Sequence, residues 1–244
     1  MSARLMTPKR YSKILKVLER RQAGLTIISD KVHKGRNIAA ILRTCDAVGI
    51  DTVHLVAPTS GFQRYRGTAT GSEKWVATEL YEDVQIPIQK ARAKGFQIIA
   101  AHQSSAAIDY RDIDYTQSTA LLLGAEKPGP SRHAIDSADH HISIPMVGMV
   151  ASLNVSVACS IIMAEAQRQR TAAGLYGTDP LSSITYKQRL FTWCQPELAS
   201  FCDKYQLAYP ELDNVGDIIN GVEWYRAAQV SIDFVESSKL NEKF

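Results

Sequence analysis

The sequence predicts an α/β fold, that is, a mostly parallel β-sheet with helices on both faces. Short runs of β-branched residues alternate with helical segments from Leu25 onward, and this alternation is typical of such sheets. The 244 residues are enough for one α/β domain with appended helices and too few for two catalytic domains. A composition of 45% hydrophobic and 22% charged residues is that of a folded globular protein.

Residues 1–22 are predicted to form a basic N-terminal helix. Apolar residues recur there at the helical spacing i, i+3, i+4 and i+7, namely Tyr11, Ile14, Leu15 and Leu18. The segment holds seven lysines and arginines against one acidic residue, whereas residues 171–244 hold six against ten. The helix could therefore face a polyanion, or it could be an ordinary solvated charged helix.

Residues 23–172 are predicted to form the central α/β domain. Strands are expected at Leu25–Ser29, Thr52–Ala57, Val76–Tyr81, Gln97–Ala101, Thr119–Leu123 and His141–Ile144. Helices are expected at Asn37–Val48, Asp83–Lys94 and Leu153–Arg170. Residues 173–244 are predicted to be a C-terminal helical extension, with a linker at Gly174–Pro180 and helices at Ser183–Trp193 and Val222–Glu236.

Several function classes are disfavoured by what the sequence lacks. It contains no G-x-G-x-x-G, no G-x-x-x-x-G-K-[ST] and no H-E-x-x-H, which argues against dinucleotide dehydrogenases, P-loop ATPases and zinc hydrolases. No apolar stretch has the length of a membrane span or a signal peptide, so we expect a cytoplasmic protein. The cysteines show no C-x-x-C spacing, and we expect packing residues rather than a zinc site or disulfides at Cys45, Cys159, Cys194 and Cys202.

The first candidate functional segment is Asn37-Ile-Ala-Ala-Ile-Leu-Arg43. Asn37 suits a helix N-cap, and Arg43 lies nearly two turns later among apolar residues. An arginine next to a buried helix face needs an anionic partner. That partner could be a phosphate of a ligand or a carboxylate of the core.

The second segment runs from Leu121 to Ser131 and reads LLLGAEKPGPS. A buried strand opens here into a loop, where Gly124 would let a ligand approach the backbone closely. Glu126 projects from the carboxyl end of this strand, where α/β proteins form their sites. Alone, a glycine-rich turn with one acid is more often only a turn.

The third segment runs from Ile142 to Ala158 and reads ISIPMVGMVASLNVSVA. A strand leads into a loop with Pro145 and Gly148, and Ser152 and Asn154 then begin a helix of small residues. This helix N-terminus could hold an apolar, partly charged ligand. It could also be a tightly packed structural helix.

Together the three segments resemble, in order and spacing, the three motifs of the SpoU family of RNA ribose methyltransferases, a branch of the SPOUT superfamily. The resemblance extends from about residue 8 to residue 176. GRN at residues 35–37 departs from the PHN of relatives, and the chain after residue 177 carries none of the recognised motifs. The resemblance implies a deep C-terminal trefoil knot, formed where the chain after Ile144 threads a loop of earlier strands.

The resemblance also implies the chemistry, which is S-adenosylmethionine-dependent methylation of a ribose 2′-hydroxyl without a metal. The implied cofactor-binding residues are Ala101, Gly124, Ile144, Met149 and Leu153. The implied catalytic residues are Arg43, Asn37, Glu126, Ser152 and Asn154. Because a guanidinium is a poor base, we expect Arg43 to clamp phosphate and the developing alkoxide, while phosphate or water shares the proton removal.

The implied substrate is tRNA, and the sequence looks most similar to family members that act on guanosine 18 of the D loop. A homodimer is expected to complete the site. Phosphate contacts are expected from Arg10, Arg21, Arg168 and Arg170. The loop Phe62–Trp75 offers aromatic and basic side chains for stacking on RNA, or for ordinary packing, at Phe62, Arg64, Tyr65, Arg66, Lys74 and Trp75.

Three alternatives remain at this stage. The target could be another tRNA position or ribosomal RNA, because the motifs identify the reaction and not the nucleotide. The protein could also be a non-catalytic RNA-binding factor, which the presence of all five implied catalytic residues disfavours. A non-RNA α/β protein is disfavoured by the basic N-terminal segment.

Overall fold

The fold is known from a computed structural model, which describes residues 6–57, 71, 74–126 and 128–229. Its strands are β1 (Leu25–Asp30), β2 (Thr52–Val56), β3 (Ala77–Tyr81), β4 (Gln97–Ala101), β5 (Ile108–Asp109), β6 (Thr119–Gly124) and β7 (His140–Ser143). They form one seven-stranded sheet in the order β3-β2-β1-β6-β4-β7-β5. Every neighbouring pair is parallel, which confirms the predicted fold class.

All six predicted strands are present within a residue or two of their expected bounds. The two-residue strand β5 was not predicted, because it is too short to show a hydrophobic period. β1 and β6 lie side by side near the middle of the sheet and are buried at every position. Such fully buried strands are typical of a parallel sheet that is covered on both faces.

The helices of this domain are α2 (Gly35–Val48), α3 (Gln85–Ala93), α4 (Arg132–Asp136) and α5 (Val155–Ala172), with a 3-10 turn at Tyr110–Asp112. α2 ends at Gly49, whose φ of 86° is the left-handed conformation that glycine adopts without strain. α5 begins after Asn154, whose side chain accepts a hydrogen bond from the Ser156 backbone N–H and thereby caps the helix. The five-residue helix α4 was not predicted.

Two apolar cores lie on opposite faces of the sheet. On one face, alternate residues of the strands, such as Ile27 and Leu121, pack against α2 and α5. On the other face, the intervening residues, such as Ile28 and Leu122, pack against α3 and α4. This alternation is the period-two pattern of a strand, and it places helices on both faces as predicted.

The chain divides into two compact units, Glu19–Leu181 and a second unit formed by the described parts of Met1–Leu18 and Ser182–Phe244. It contains α1 (Pro8–Leu18), α6 (Ser183–Cys194), α7 (Pro196–Tyr205) and a helix α8 at residues 221–229. The rest of the predicted helix Val222–Glu236 lies outside the described residues. The division into residues 1–22, 23–172 and 173–244 stays a prediction, whereas the compact units have their boundaries at 18/19 and 181/182.

The four cysteines are free and buried, as expected of packing residues. Burial raises the pKa of the Cys159 thiol to about 12, so this thiol is held in its unreactive protonated form. Within the described ranges, no helix is long and apolar enough to cross a membrane.

Candidate active site

Three predicted catalytic residues from distant parts of the chain form one hydrogen-bonded chain at the carboxyl end of the sheet. Asn37, in the first turn of α2, donates from Nδ2 to Oε1 of Glu126 over 2.6 Å. Asn154, the N-cap of α5, donates from Nδ2 to Oδ1 of Asn37 over 3.3 Å. Because Asn154 Oδ1 also accepts from the Ser156 N–H at 2.9 Å, the chain of contacts is tied to the start of α5.

A cavity of about 400 Å³ opens beside these residues. Four of the five predicted cofactor-binding residues line it, namely Ala101, Gly124, Ile144 and Leu153. The predicted catalytic residues Glu126, Ser152 and Asn154 line it as well. A cavity of this size at the carboxyl ends of parallel strands is where an α/β protein places a small organic ligand.

Met149 does not line this cavity, and its side chain is exposed. Met146, three residues earlier in the same loop, lines the cavity instead. The contact expected of Met149 is one through the main chain, so it stays a prediction, while its side chain does not form a wall of the cavity in this structure. A loop has no fixed period, so the sequence could not decide which of the two methionines faces inward.

At Gly124, the end of β6 is in very close contact with the backbone of the loop that follows it. A Cβ at this position would lie 1.9 Å from the backbone nitrogen of Pro130 and 2.1 Å from the carbonyl carbon of Gly129, closer than any side chain can be placed. The loop is held there because Oδ2 of the buried Asp30 accepts a hydrogen bond of 2.7 Å from the Ser131 N–H. The glycine thus keeps the loop backbone directly against the end of β6.

Arg43 is exposed on α2 and does not line the cavity. Among the described residues it makes no ion pair and no hydrogen bond, which speaks against a salt bridge to a core carboxylate. The neighbouring Thr44 reaches α5 through a hydroxyl contact of 2.8 Å to Ser160. The Arg43 guanidinium is therefore available to an anion that the described residues do not supply.

His33 adds a titratable group that the motif analysis did not include. Its Nδ1 lies 3.0 Å from Oε2 of Glu126. Four further residues that line the cavity were also missed, namely Lys34, His102, Gln103 and Ser143. Ser143 is the last residue of β7 and the other three follow the carboxyl ends of β1 or β4, a position that the sequence could have indicated. Within the described part of the chain, no group of three or more His, Cys, Asp or Glu side chains could hold a metal ion.

Comparison with known proteins decides the family. Residues 24–164 match the model of the SpoU rRNA methylase family, and residues 168–221 match the model of a SpoU rRNA methylase C-terminal region. The chain belongs to the SpoU family. The C-terminal match shows that the segment after residue 177, which the sequence motifs left unassigned, also has counterparts in SpoU proteins.

Individual SpoU relatives cover most of the chain. The tRNA (guanosine(18)-2′-O)-methyltransferase of Escherichia coli K12 is 40% identical over 228 residues, which are 93% of this chain and 100% of that protein. The crystal structure of the Aquifex aeolicus TrmH/SpoU tRNA modifying enzyme is 38% identical, with a TM-score of 0.72 over 78% of this chain and 97% of that one. The SpoU methyltransferase AviRb of Streptomyces viridochromogenes, crystallised with the cofactor AdoMet, is 27% identical, with a TM-score of 0.56 over 64% of this chain and 62% of that one.

Two of the four arginines that the SpoU resemblance assigned to RNA are placed inside the protein. Arg21 is 0% exposed, and it donates to the carbonyls of Ile50 and Trp75 and to Asp46 over 2.8, 2.9 and 2.6 Å. The prediction that Arg21 contacts phosphate is therefore wrong in this structure, because its guanidinium is enclosed by protein acceptors.

The same correction applies to Arg170, which is 1% exposed. It forms an ion pair with Asp179, donates from Nε to Gln22 over 2.8 Å and donates from Nη1 to the Tyr115 carbonyl over 3.1 Å. Burial lowers the pKa of this guanidinium, and the Asp179 carboxylate opposes that shift.

The other two predicted RNA contacts remain accessible. Arg10 is exposed on α1, and Arg168 is exposed on α5, where it pairs with Glu165 at 2.7 Å. Most of the predicted stacking loop, including Phe62, Arg64, Tyr65 and Arg66, lies outside the described residues. In the part that is described, the backbone carbonyl of Trp75 accepts from Arg21.

Proposed function

We propose that this protein transfers a methyl group from S-adenosylmethionine to the ribose 2′-hydroxyl of guanosine 18 in the D loop of tRNA. The observation that carries the proposal is the Asn37–Glu126–Asn154 chain beside a cavity lined by Gly124, Ile144 and Leu153, in a SpoU family chain. The substrate follows from a relative that this chain matches over its whole length and that is named for that reaction.

The cavity suits S-adenosylmethionine by its chemistry. Leu153, Ile144 and Met146 supply apolar walls, while Glu126 and backbone groups next to Gly124 supply hydrogen-bonding partners. When bound, the cofactor supplies an electrophilic methyl group on a sulfonium. A side chain at Gly124 would push the Gly129–Pro130 backbone away, so the shape of this wall depends on the glycine.

Arg43, with no partner of its own in the described part of the chain, is proposed to hold a substrate phosphate and to stabilise the negative charge that develops on the 2′-oxygen. Asn37, Glu126, Ser152 and Asn154 are proposed to orient the ribose. Fixed donors and acceptors of this kind increase the rate because they need no reorganisation during the reaction.

We further propose a homodimer that completes the site. Val147, Met149 and Val150 in the loop before α5, and Val157 on α5, are large apolar side chains exposed in the single chain. They adjoin the cavity-lining residues in sequence, so a second copy that covers them would also border the site. Light scattering should give twice the chain mass, and Val157→Asp should shift the protein toward the mass of one chain.

The deep trefoil knot is also proposed, with the chain after Ile144 passing through a loop of earlier strands. Its support is the match of residues 24–164 to the SpoU family, to which the resemblance attaches this knot. Since tRNA is the proposed substrate, the proposed location is the cytoplasm. The proposed tRNA contacts are Arg10 and Arg168 on the surface.

The decisive experiment is to map methylated riboses in RNA from cells that lack the gene. The proposal predicts that 2′-O-methylguanosine is lost at position 18 of tRNA and returns when the gene is supplied. Loss at another tRNA position, or in ribosomal RNA, would support the alternative targets. An unchanged methylation pattern, together with no transfer by the purified protein, would support a non-catalytic RNA-binding protein.

A further inference from the structure

The imidazole of His33 is half exposed and lies against the mostly buried carboxylate of Glu126. Its Nδ1 is 3.0 Å from Oε2 of Glu126, and the two side chains differ in exposure, 52% for His33 and 11% for Glu126. Glu126 lines the cavity and holds Asn37, so His33 contacts the polar chain of the site from the solvent side.

The two oxygens of Glu126 have unequal partners. Oε1 accepts the 2.6 Å hydrogen bond from Asn37, whereas Oε2 is buried and has no aligned hydrogen bond in the described part of the chain. A buried carboxylate oxygen strongly favours a nearby donor, and a hydrogen on Nδ1 of His33 is in place to become one after a small rotation. Such a hydrogen leaves the lone pair on Nε2, so the carboxylate favours the tautomer in which Nε2 can accept a proton.

We propose that His33 accepts the proton of the ribose 2′-hydroxyl and that Glu126 positions it by fixing this tautomer. The inference rests on the function proposed above. In the step, the 2′-oxygen bonds to the methyl carbon, the carbon–sulfur bond breaks with its electron pair left on sulfur, and the hydroxyl proton passes to Nε2. The imidazolium that results is stabilised by the Glu126 carboxylate, as in other carboxylate–imidazole pairs.

His33 fills a role that Arg43 is unsuited to fill. A guanidinium keeps its protons at all physiological pH values, so it can stabilise an oxyanion but cannot readily take up a proton. An imidazole changes its charge near neutral pH, which suits a general base. Among the described residues, Glu126 is the titratable group within ion-pair distance of the His33 ring. Lys34 and Arg36 follow His33 in the chain.

Two substitutions separate proton acceptance from a structural role. In His33→Asn the amide nitrogen can still donate to Oε2 of Glu126 but cannot accept a proton, whereas His33→Ala removes both capacities. We expect both variants to lose roughly 10² to 10⁴-fold in single-turnover methyl transfer to tRNA at pH 8. Binding of S-adenosylmethionine and of tRNA should change by less than about twofold. His140→Gln, an exposed histidine at the start of β7, is the matched control and should keep the wild-type rate.

The pH profile and the tautomer are independent readouts. The wild-type rate should fall at acidic pH, where a protonated His33 ring cannot accept the hydroxyl proton, and the His33→Asn rate should lack this decline. Nitrogen chemical shifts should show hydrogen on Nδ1 of His33 at pH 8 in the wild type, and on Nε2 in Glu126→Gln.

A His33→Asn protein that keeps the wild-type rate and pH profile would overturn the inference while leaving the proposed function intact. Wild-type protein that binds S-adenosylmethionine but methylates no RNA would overturn the proposed function itself. A His33 ring with its hydrogen on Nε2 in the wild type would contradict the assigned role of Glu126.

Discussion

At the amino ends of the strands two arginines are buried, and on α2 one arginine is exposed. Arg21 donates to carbonyls just before β2 and β3, and Arg170 donates to groups just before β1 and β6. These four strands are consecutive in the sheet, so two guanidinium groups tie together the starts of neighbouring strands. Arg43, on the exposed surface of α2, has no acceptor within the described part of the chain.

The difference shows that a structural arginine is distinguished from a functional one by its partners and its burial, because the residue type is the same. A buried guanidinium is tolerated only when protein acceptors satisfy it, and it then stabilises the fold as long as both partners remain. An exposed guanidinium without protein acceptors keeps its donors for a ligand. Substitution of the same residue type is therefore expected to reduce stability at the buried sites and activity at the exposed one.

The largest effect on stability is expected from Arg170→Ala, at the amino end. Removal of the guanidinium leaves the Tyr115 carbonyl without this donor and leaves the Asp179 carboxylate without its cation, which costs about 3 to 5 kcal/mol of unfolding free energy. The matched control is Arg168→Ala, two residues away on α5, whose exposed pair with Glu165 is worth at most about 1 kcal/mol. Thermal melts followed by circular dichroism measure both, and equal melting temperatures would mean that the buried network is not structural.

The next largest effect is on catalysis, from Arg43→Ala on α2. We expect a fall of roughly 10² to 10³-fold in single-turnover methyl transfer, because one donor to the developing charge is removed. The melting temperature and the affinity for S-adenosylmethionine should stay at wild-type values. Arg111→Ala, which removes an exposed guanidinium paired locally with Asp109, is the control and should remain active. A stable Arg43→Ala protein with full activity would remove this residue from the site.

The sheet and the polar chain of the site could be predicted from the sequence more reliably than the roles of single arginines. β1 and β6 were recognisable because strands buried on both faces are nearly continuous in apolar residues. β5 and α4 have only two and five residues, too few for a period to show. Charge is visible in a sequence but burial is not, so Arg21 and Arg170 were assigned to RNA although the fold encloses them.

The link between His33 and Glu126 was equally hidden from the sequence. The two residues are far apart in the chain and meet only because β1 and β6 are neighbours, with Asp30 opposite Gly124 in the register. Asn37, Glu126 and Asn154 were found because each lies in a recognisable motif. Their hydrogen bonds follow from the same strand order.

The smallest effect concerns the exposed basic surface of α1. Arg10→Ala combined with Lys13→Ala should weaken tRNA binding without moving the methylated nucleotide. If both side chains contact phosphate, the slope of log affinity against log salt should flatten by roughly 1.4 to 1.8, by analogy with the slopes for nucleic acid duplexes and single strands. Lys94→Ala combined with Lys204→Ala makes the same change in charge elsewhere on the surface. Identical slopes for the two double variants and the wild type would leave α1 as only a charged helix.

A tRNA that lacks a single oxygen tests directly whether the site at the carboxyl end of the sheet methylates one ribose of tRNA. Purified protein is incubated with methyl-labelled S-adenosylmethionine and either a complete tRNA or the same tRNA with 2′-deoxyguanosine at position 18. Labelled methyl should enter the complete tRNA to about one group per molecule and should be absent from the deoxy form, while both tRNAs bind with similar affinity. Equal labelling of the two tRNAs would contradict the account.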